Sequence, residues 1–301
     1  MSQRDVKHRI ESVKNLRKIT SAMQMVAAAR LRRAEQRISA LRPYAGAIRR
    51  MTRQASAAAG GEVSGNPILQ EHDKLETVAI LLVTGDRGLA GAFNSQIIRA
   101  GLAAAAEYAA EGVAVRYYAV GRRGVSSLIF RKLDPVGRYV GFTDRPGYAD
   151  AREIAGALMA AYVDDEVDRV EVFYNGYVSA LTQEVRREVL LPLQQATVDE
   201  EIAKAEEESD GSEVHHALVD YEPDPAEILQ RLIPDYVEIS LYRALLESTA
   251  SEHGARMTAM RSASENAGEV INDLTLEMNR ARQAEITQEI MEVVAGAESL
   301  T

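Results

Sequence analysis

The chain has 301 residues, a net charge of −10 and 46% hydrophobic residues, which is enough for a globular core plus extended elements and favours two structural units. It contains no cysteine, which excludes a disulfide framework, a thiolate metal site and a cysteine nucleophile. No apolar run approaches the roughly 18 residues of a membrane span, and the first residues lack the pattern of a secretory signal, so we expect neither.

Residues 2–59 are predicted to form one long helix. Apolar residues recur mostly three or four positions apart, which indicates a single apolar stripe on one helix face. Pro43 should bend the helix without ending it, because the periodicity resumes at Ala45. Gly60 and Gly61 then stop it. The stripe consists of Val6, Ile10, Val13, Leu16, Met23, Val26, Leu31, Ala34, Ile38, Leu41, Ala45 and Ile48.

Charge is distributed very unevenly along the chain. Residues 1–53 contain fourteen Arg and Lys against three acids, a net charge of +11, so residues 54–301 carry −21. A basic arm of this kind can bind nucleic acid, a membrane surface or an acidic protein. Tyr44 is its only aromatic residue, and the long apolar stripe needs a protein to cover it, so we favour a protein partner over nucleic acid.

From residue 75 the pattern changes to short β-prone runs that alternate with helices. The predicted strands are residues 77–84, 113–120, 136–142 and 167–178, and the predicted helices between them are one ending near residue 110, 122–132 and 148–163. This rhythm predicts a Rossmann-like, mostly parallel α/β domain. Residues 183–191 form one more predicted strand, which ends at Pro192 and is placed at a sheet edge.

An acidic segment separates this domain from the C-terminal region. Residues 199–213 contain eight acids and one lysine, and we interpret them as a solvated insertion, with a regulatory or partner contact as the alternative. A helix then starts with Asp224 as N-cap, Pro225 at the first helical position and Glu227 completing a capping box. Pro234 should separate a short leading helix from the rest by a kink.

Residues 235–301 form the longest predicted helix, about 100 Å at 1.5 Å per residue. The helix is acidic overall, so we expect it to pair with the basic N-terminal helix as an antiparallel coiled coil. Its longer end leaves an apolar tip at residues 286–300, which indicates a socket in another protein. The predicted seam is Ala259, Ala263, Ala267, Val270, Leu274, Met278 and Ala281.

These elements predict an α/β protein with four regions. They are an N-terminal shaft helix at residues 1–59, an α/β globular domain at 75–198, an acidic insertion or linker at 199–219, and a C-terminal shaft helix at 220–301.

Candidate chemistry is sparse. Residues 85–91 follow a strand and precede a helix, where a phosphate-binding loop would lie, but they lack the G-x-G-x-x-G spacing, and no glycine in the chain precedes a lysine. We therefore favour a structural or partner-contacting turn at Asp86, Arg87 and Gly88, and keep a nucleotide-binding α/β enzyme with helical arms as the alternative. The histidines are scattered apart from the pair His215 and His216. We expect no catalytic residue, cofactor or metal site.

Four motifs, in order along nearly the whole chain, resemble the gamma subunit of rotary F-type ATP synthases, the central stalk. Residues 19–28 read ITSAMQMVAA, residues 86–91 read DRGLAG with Asn94 following, and residues 221–225 read YEPDP. The most specific motif is ITQEIMEVVAGA at residues 286–297, preceded by ARQA at 281–284. The acidic segment at 199–213 departs from the family pattern, and the absence of a cysteine-bearing redox insert favours a bacterial member.

The resemblance implies a rotor. In the family, the paired terminal helices form a shaft inside a ring of alpha and beta subunits, and the α/β domain lies beside the epsilon subunit and the membrane c-ring. Ion flow turns the c-ring and shaft, which drives the beta sites through different affinities and couples ion translocation to ATP synthesis or hydrolysis. The family member is a single-copy, non-catalytic subunit, peripheral on the cytoplasmic face of the bacterial membrane and not inserted in it.

The resemblance also assigns residues by position. It places Met23 against the moving lobes of beta, and Ile290, Val293 and Val294 in an apolar bearing. The residues it places in the coupling region are Arg256, Arg282, Gln283, Thr287 and Glu289.

Overall fold

The computed structural model describes residues 3–59, 67–193 and 225–298. Its helices are α1 (Gln3–Ala59), α2 (Phe93–Ala110), α3 (Arg122–Phe130), α4 (Tyr148–Val163) and α5 (Pro225–Glu298), with one turn of 3₁₀ helix at Pro67–Leu69. Its strands are β1 (Thr77–Val83), β2 (Ala114–Val120), β3 (Gly137–Tyr139), β4 (Arg169–Tyr177) and β5 (Gln183–Leu191).

The chain divides into two compact units, and both long helices contribute to each. The helical unit consists of Met1–Ala29 and Arg256–Thr301, and the α/β unit is Arg30–Ala255. The unit boundaries therefore fall inside α1 and α5 rather than between helix and sheet.

The five strands form one sheet in the order β3-β2-β1-β4-β5. Strands β1 to β4 are parallel, and β5 pairs antiparallel with β4. The predicted parallel α/β domain and its edge strand are confirmed, although β3 is only three residues long where seven were expected. Chain order runs outward from β1 to β3 and then returns to the other side of β1 for β4, so the strand order reverses between β1 and β4.

Both faces of the sheet are covered, as the apolar strands require. Ala79, Leu81 and Val83 of β1 pack into a core shared with α4, α1 and the first third of α5. The alternate residues Val78, Ile80 and Leu82 pack into a second core with α2 and α3. The α/β unit is thus three layers deep, with segments of both long helices in one outer layer.

Pro43 lies inside α1, as expected, and α1 ends at Ala59. Pro234 lies inside α5, which continues as one helix from Pro225 to Glu298, and the kink expected there stays a prediction. No residue from 232 to 255 is exposed, and packing on this scale offsets the single hydrogen bond that a proline removes. Asp224 and the acidic residues 199–213 lie outside the described residues.

Candidate functional site

The buried side chains of α1 follow a strict repeat. Among its described side chains, every buried one falls on a line of alternating four- and three-residue steps that starts at Val6. An average step of 3.5 residues is the period of helices that wind around a partner helix. The buried residues are Val6, Ile10, Thr20, Ala27, Leu31, Ala34, Ala45, Ile48 and Thr52.

A second apolar stripe on α1 is open to solvent. Leu16 and Val26 were predicted to belong to the buried stripe, but they are 54% and 53% exposed. With Ile19 and the half-buried Met23 they repeat at steps of three, four and three, one position behind the buried line. One position is a rotation of about 100°, so these side chains lie on an adjacent face. Polar Thr20 takes the buried position instead.

In the helical unit, α1 and α5 pack against each other in opposite directions. Val6 and Ile10 form a small core with Leu274, whereas Arg17, further along α1, lies beside Gly268, earlier on α5. Because numbers rise on one helix as they fall on the other, the segments are antiparallel.

The predicted seam of α5 is largely buried. Ala267 and Leu274 are buried, and Ala259, Ala263, Met278 and Ala281 are half-buried. The prediction that Val270 belongs to the seam was wrong, because 44% of it is exposed. Its neighbour Ile271 packs instead against the core of Val6, Ile10 and Leu274.

The end of α5 carries a continuous exposed apolar face. Ile286, Ile290, Val293 and Val294 span about 100° of the helix circumference, and they are 47%, 57%, 71% and 49% exposed. A stripe of this width normally faces a core. Here it faces solvent, so it is a candidate contact surface.

The polar residues predicted to lie in the coupling region divide into two groups. Arg282, Gln283, Thr287 and Glu289 are all exposed on the last turns of α5, and the Thr287 hydroxyl donates to the Gln283 carbonyl at 2.8 Å. Arg256 is different, because only 7% of it is exposed.

The turn after β1 is held by its own carboxylate. Asp86 Oδ2 accepts hydrogen bonds from the backbone N–H of Gly141 at 2.8 Å and from the N–H and hydroxyl of Thr143 at 3.2 and 3.0 Å. Its Oδ1 accepts from the N–H of Arg122 at 3.0 Å. One side chain therefore ties together the loops that follow β1, β2 and β3, while Arg87 points outward with 64% of its side chain exposed.

The crevice where strand order reverses is occupied by α5. In open α/β sheets ligands bind at this point, but a Cβ atom on Gly85 would lie 2.6 Å from Oε1 of Glu252, and one on Gly254 would lie 3.0 Å from the carbonyl of Ala180. The cavity between Thr84 and Glu252 has about 10 Å³ of free volume, which holds about one water molecule, whereas ligand pockets measure roughly 300–1,000 Å³.

Sequence comparison identifies the family. The ATP synthase family model that matches this chain covers residues 2–300. A curated protein of Rubrobacter xylanophilus, an ATP synthase gamma chain, is 42% identical over 99% of this chain and 98% of its own length. That of Streptomyces avermitilis is 44% identical over 98% and 94%. The chain belongs to the ATP synthase gamma-chain family.

Solved structures agree with this gamma-chain membership. A chain from the Tetrahymena thermophila mitochondrial ATP synthase central stalk and c-ring is 27% identical, with a TM-score of 0.60 over 82% of this chain and 99% of that one. A chain from the Euglena gracilis mitochondrial enzyme is 16% identical with a TM-score of 0.65 over 99% and 94%, and it supports the fold alone. Across the described residues, this gamma-chain family member has no helix that combines the length and apolarity needed to span a bilayer.

Two features of this gamma-chain fold were missed by sequence reasoning. The outward stripe on α1 was merged with the buried one, although its offset of one position is visible in the sequence. Glu238, Arg243 and Glu247 make polar contacts that hold α5 in the α/β unit. The sequence does not indicate these contacts, because the partner residues lie 55 to 90 positions away along the chain.

Proposed function

We propose that this chain is the rotor, or central stalk, of an F-type ATP synthase, and that it transmits torque between an ion-driven c-ring and the catalytic sites of an alpha/beta ring. One observation carries the proposal: a chain related to gamma chains over its full length leaves apolar faces exposed on both of its long helices. Apolar stripes of this length require a partner.

The shaft in this proposal is an antiparallel coiled coil of α1 and α5. The 3.5-residue repeat of buried positions on α1, together with the opposed directions of the helices at Val6, Ile10 and Leu274, supports it. We retain the proposed division into shaft helices at 1–59 and 220–301, an α/β domain at 75–198 and a linker at 199–219.

The contact role that we propose for each residue follows from the exposure of its side chain. Met23, which belongs to the outward stripe with Leu16, Ile19 and Val26, faces beta in this proposal. Arg282, Gln283, Thr287 and Glu289 form the coupling region, with Arg256 as a buried member that acts from within. Ile290, Val293 and Val294 turn in an apolar bearing. Arg87 and Gly88 contact a partner, and Asp86 holds their loop in shape.

The proposed partners are the alpha, beta and epsilon subunits and the c-ring, with one copy of this chain per complex. The subunit is non-catalytic and peripheral on the cytoplasmic face of a bacterial membrane. Co-purification from such membranes tests this directly. We expect the tagged chain to bring alpha, beta and epsilon with it, and a chain recovered alone from membranes that contain an active synthase would contradict the proposal.

A truncation tests the proposed apolar bearing separately from the folding of the α/β unit. Deleting residues 290–301 should weaken assembly or rotation while the α/β unit keeps its unfolding midpoint, because the exposed tip of α5 is far in sequence from the elements of the sheet. A truncated chain that supports full coupled ATP synthesis would refute the bearing role.

The competing function, a nucleotide-binding enzyme, is disfavoured by the occupied crevice between Gly85 and Glu252. Titration of the isolated chain with ATP, ADP and NAD should give no saturable binding. Micromolar affinity for one of them would favour the enzyme.

A further inference from the structure

Residues 232–255 of α5 belong to an outer layer of the α/β unit but are largely covered by its other elements. From residue 232 to 255 no position is exposed, and most positions are fully buried. A helix that is buried on every side is a core element. Close-packed apolar side chains hold it there and oppose its rotation about its own axis. Hydrogen bonds and ion pairs add contacts with a fixed direction.

Such contacts exist on one face of α5. The Tyr148 hydroxyl of α4 donates to Oε2 of Glu238 at 2.7 Å, and Nε of Arg152 lies 3.7 Å from Oε1 of the same carboxylate. Burial, followed by the hydrogen bond to Glu238, raises the pKa of Tyr148, so its hydroxyl stays protonated and able to donate. Three turns further on, the Thr249 hydroxyl lies 3.0 Å from the carbonyl oxygen of Thr143 and 2.8 Å from that of Leu245 in its own helix, and its one proton is shared between them.

A second set lies on another face of α5, against the strands. Nη2 of Arg243 donates to Oε2 of Glu188 on β5 at 2.9 Å. Nη1 of Arg186, also on β5, donates to Oε2 of Glu247 at 3.1 Å. The buried Tyr174 of β4 donates its hydroxyl to the other oxygen of Glu188 at 2.5 Å. Burial raises the pKa of Glu247, and the guanidinium groups of Arg243 and Arg186 oppose that rise.

The two sets lie on opposite sides of the helix. At about 100° per residue, Arg243 and Glu247 are rotated by about 140° and 180° from Glu238, whereas Thr249 is rotated by only about 20°. A turn of α5 in either direction would therefore pull polar atoms off their partners on both sides at once. Each such loss leaves a buried polar or charged group poorly paired.

Building on the proposed rotor function, we propose that Glu238 with Tyr148, and Glu247 and Arg243 with Arg186 and Glu188, form a torsional anchor that locks α5 to the α/β domain. In this role they are positioning residues, which transmit torque from the domain into the helix without contacting a nucleotide. Loss of the anchor leaves the helix in place but makes its connection to the domain torsionally softer.

The test measures torsional stiffness in the assembled complex. Because the chain has no cysteine, Ser126→Cys on the exposed surface of α3 gives this chain a single attachment for a rotation probe. With the alpha/beta ring fixed to a surface and turnover stopped, the variance of the probe angle reports the stiffness between ring and domain. The variants are Tyr148→Phe, Glu247→Gln and both together.

A matched control removes a polar pair that does not touch α5. Arg116 and Glu166 form an ion pair on the surface of the α/β unit, with 41% and 51% of their side chains exposed, so Glu166→Gln should leave the variance unchanged. We expect each single variant to raise the variance and the double variant to raise it further. The unfolding midpoint is measured in parallel, because a shift in the midpoint without a change in variance indicates a merely structural role.

The outcomes are distinct. A double variant with the variance of the wild type, or a Glu166→Gln variant with the same increase as the anchor variants, overturns the anchor. A wild-type chain that assembles with no alpha/beta ring, or does not rotate in one, refutes the proposed rotor function itself and the anchor with it.

Discussion

Replacing Arg187 should reveal how strongly one polar network supports the sheet. Nε and Nη2 of Arg187 on β5 donate to the two carboxylate oxygens of Glu171 on β4 at 2.9 and 3.2 Å. Tyr108 of α2 donates its hydroxyl to the same carboxylate at 2.6 Å. Burial lowers the pKa of Arg187, but the hydrogen bonds and charge of Glu171, together with hydrogen bonds to Tyr108 and Glu107, outweigh burial and raise it. Only 3% of the Glu171 side chain is exposed, so water has little access to take the place of these partners.

Arg187→Met removes the cation and leaves the buried carboxylate of Glu171 with the Tyr108 hydroxyl. Breaking a buried pair costs about 3–5 kcal/mol, and we expect the lower end, about 3 kcal/mol, because 41% of the Arg187 side chain is exposed. Adding Glu171→Gln removes the unpaired charge and keeps an acceptor for Tyr108. The double variant should therefore recover more than half of the lost stability.

Urea unfolding measures both effects, followed by the fluorescence of the twelve tyrosines, since the chain has no tryptophan. Arg116→Met is the matched control, because Arg116 is equally exposed but pairs with the exposed Glu166, and such surface pairs contribute less than about 1 kcal/mol. A loss of stability for Arg187→Met no larger than that for Arg116→Met, or no recovery on adding Glu171→Gln, would contradict a stabilising role for the buried ion pair.

Three further substitutions test local features. Gly121 has φ of +87°, and a Cβ there would lie 2.3 Å from the carbonyl oxygen of Thr84, so Gly121→Ala should lower the free energy of unfolding by more than about 1 kcal/mol. Gly156→Ala, in α4 with open space around it, should raise it by about 0.5–1 kcal/mol; equal effects of the two would contradict the strain argument. The pKa of Asp168 is lowered: burial raises it, but hydrogen bonds from His72 and two backbone N–H groups outweigh burial. The ionised Asp168 carboxylate therefore stabilises the fold above pH 3.8, its ordinary pKa, and this stabilisation is lost as the pH falls through the lowered pKa of the folded state. Asp168→Asn should lower the free energy of unfolding at neutral pH and make its decrease below pH 3.8 less steep. Parallel pH profiles of the two chains would contradict this.

The sequence predicted the sheet well because strands and turns are encoded locally. Short β-prone runs placed β1, β2 and β4 to within two residues, and Pro192 marked the end of the edge strand. The length of β3 was overestimated because its flanking residues Val136 and Val140 are β-prone but exposed, and composition does not show where pairing stops.

Which of the two apolar stripes on α1 is buried could not be predicted in the same way. Leu16, Ile19, Met23 and Val26 have the same three- and four-residue steps as the buried line that contains Thr20 and Ala27. Hydrophobicity alone predicts that the more apolar stripe is the buried one, and this prediction leaves Thr20 exposed. Only the position of α5 decides which stripe is covered within the chain. For a subunit that binds partners on several sides, the apolar residues that fall out of phase with its own seam are therefore the informative ones.

Among the described residues, the crevice that usually binds ligands in this fold is filled by a helix. The reversal of strand order between β1 and β4 creates a crevice, and in this chain α5 runs through it, with Glu252 against Gly85 and Gly254 against Ala180. The feature that places a cofactor in other doubly wound sheets here receives a helix that continues to Glu298. Fold alone would have suggested a nucleotide enzyme. Because α5 occupies the crevice, the sheet holds a long helix there instead of a ligand. A torque-transmitting subunit requires such an attachment between domain and helix.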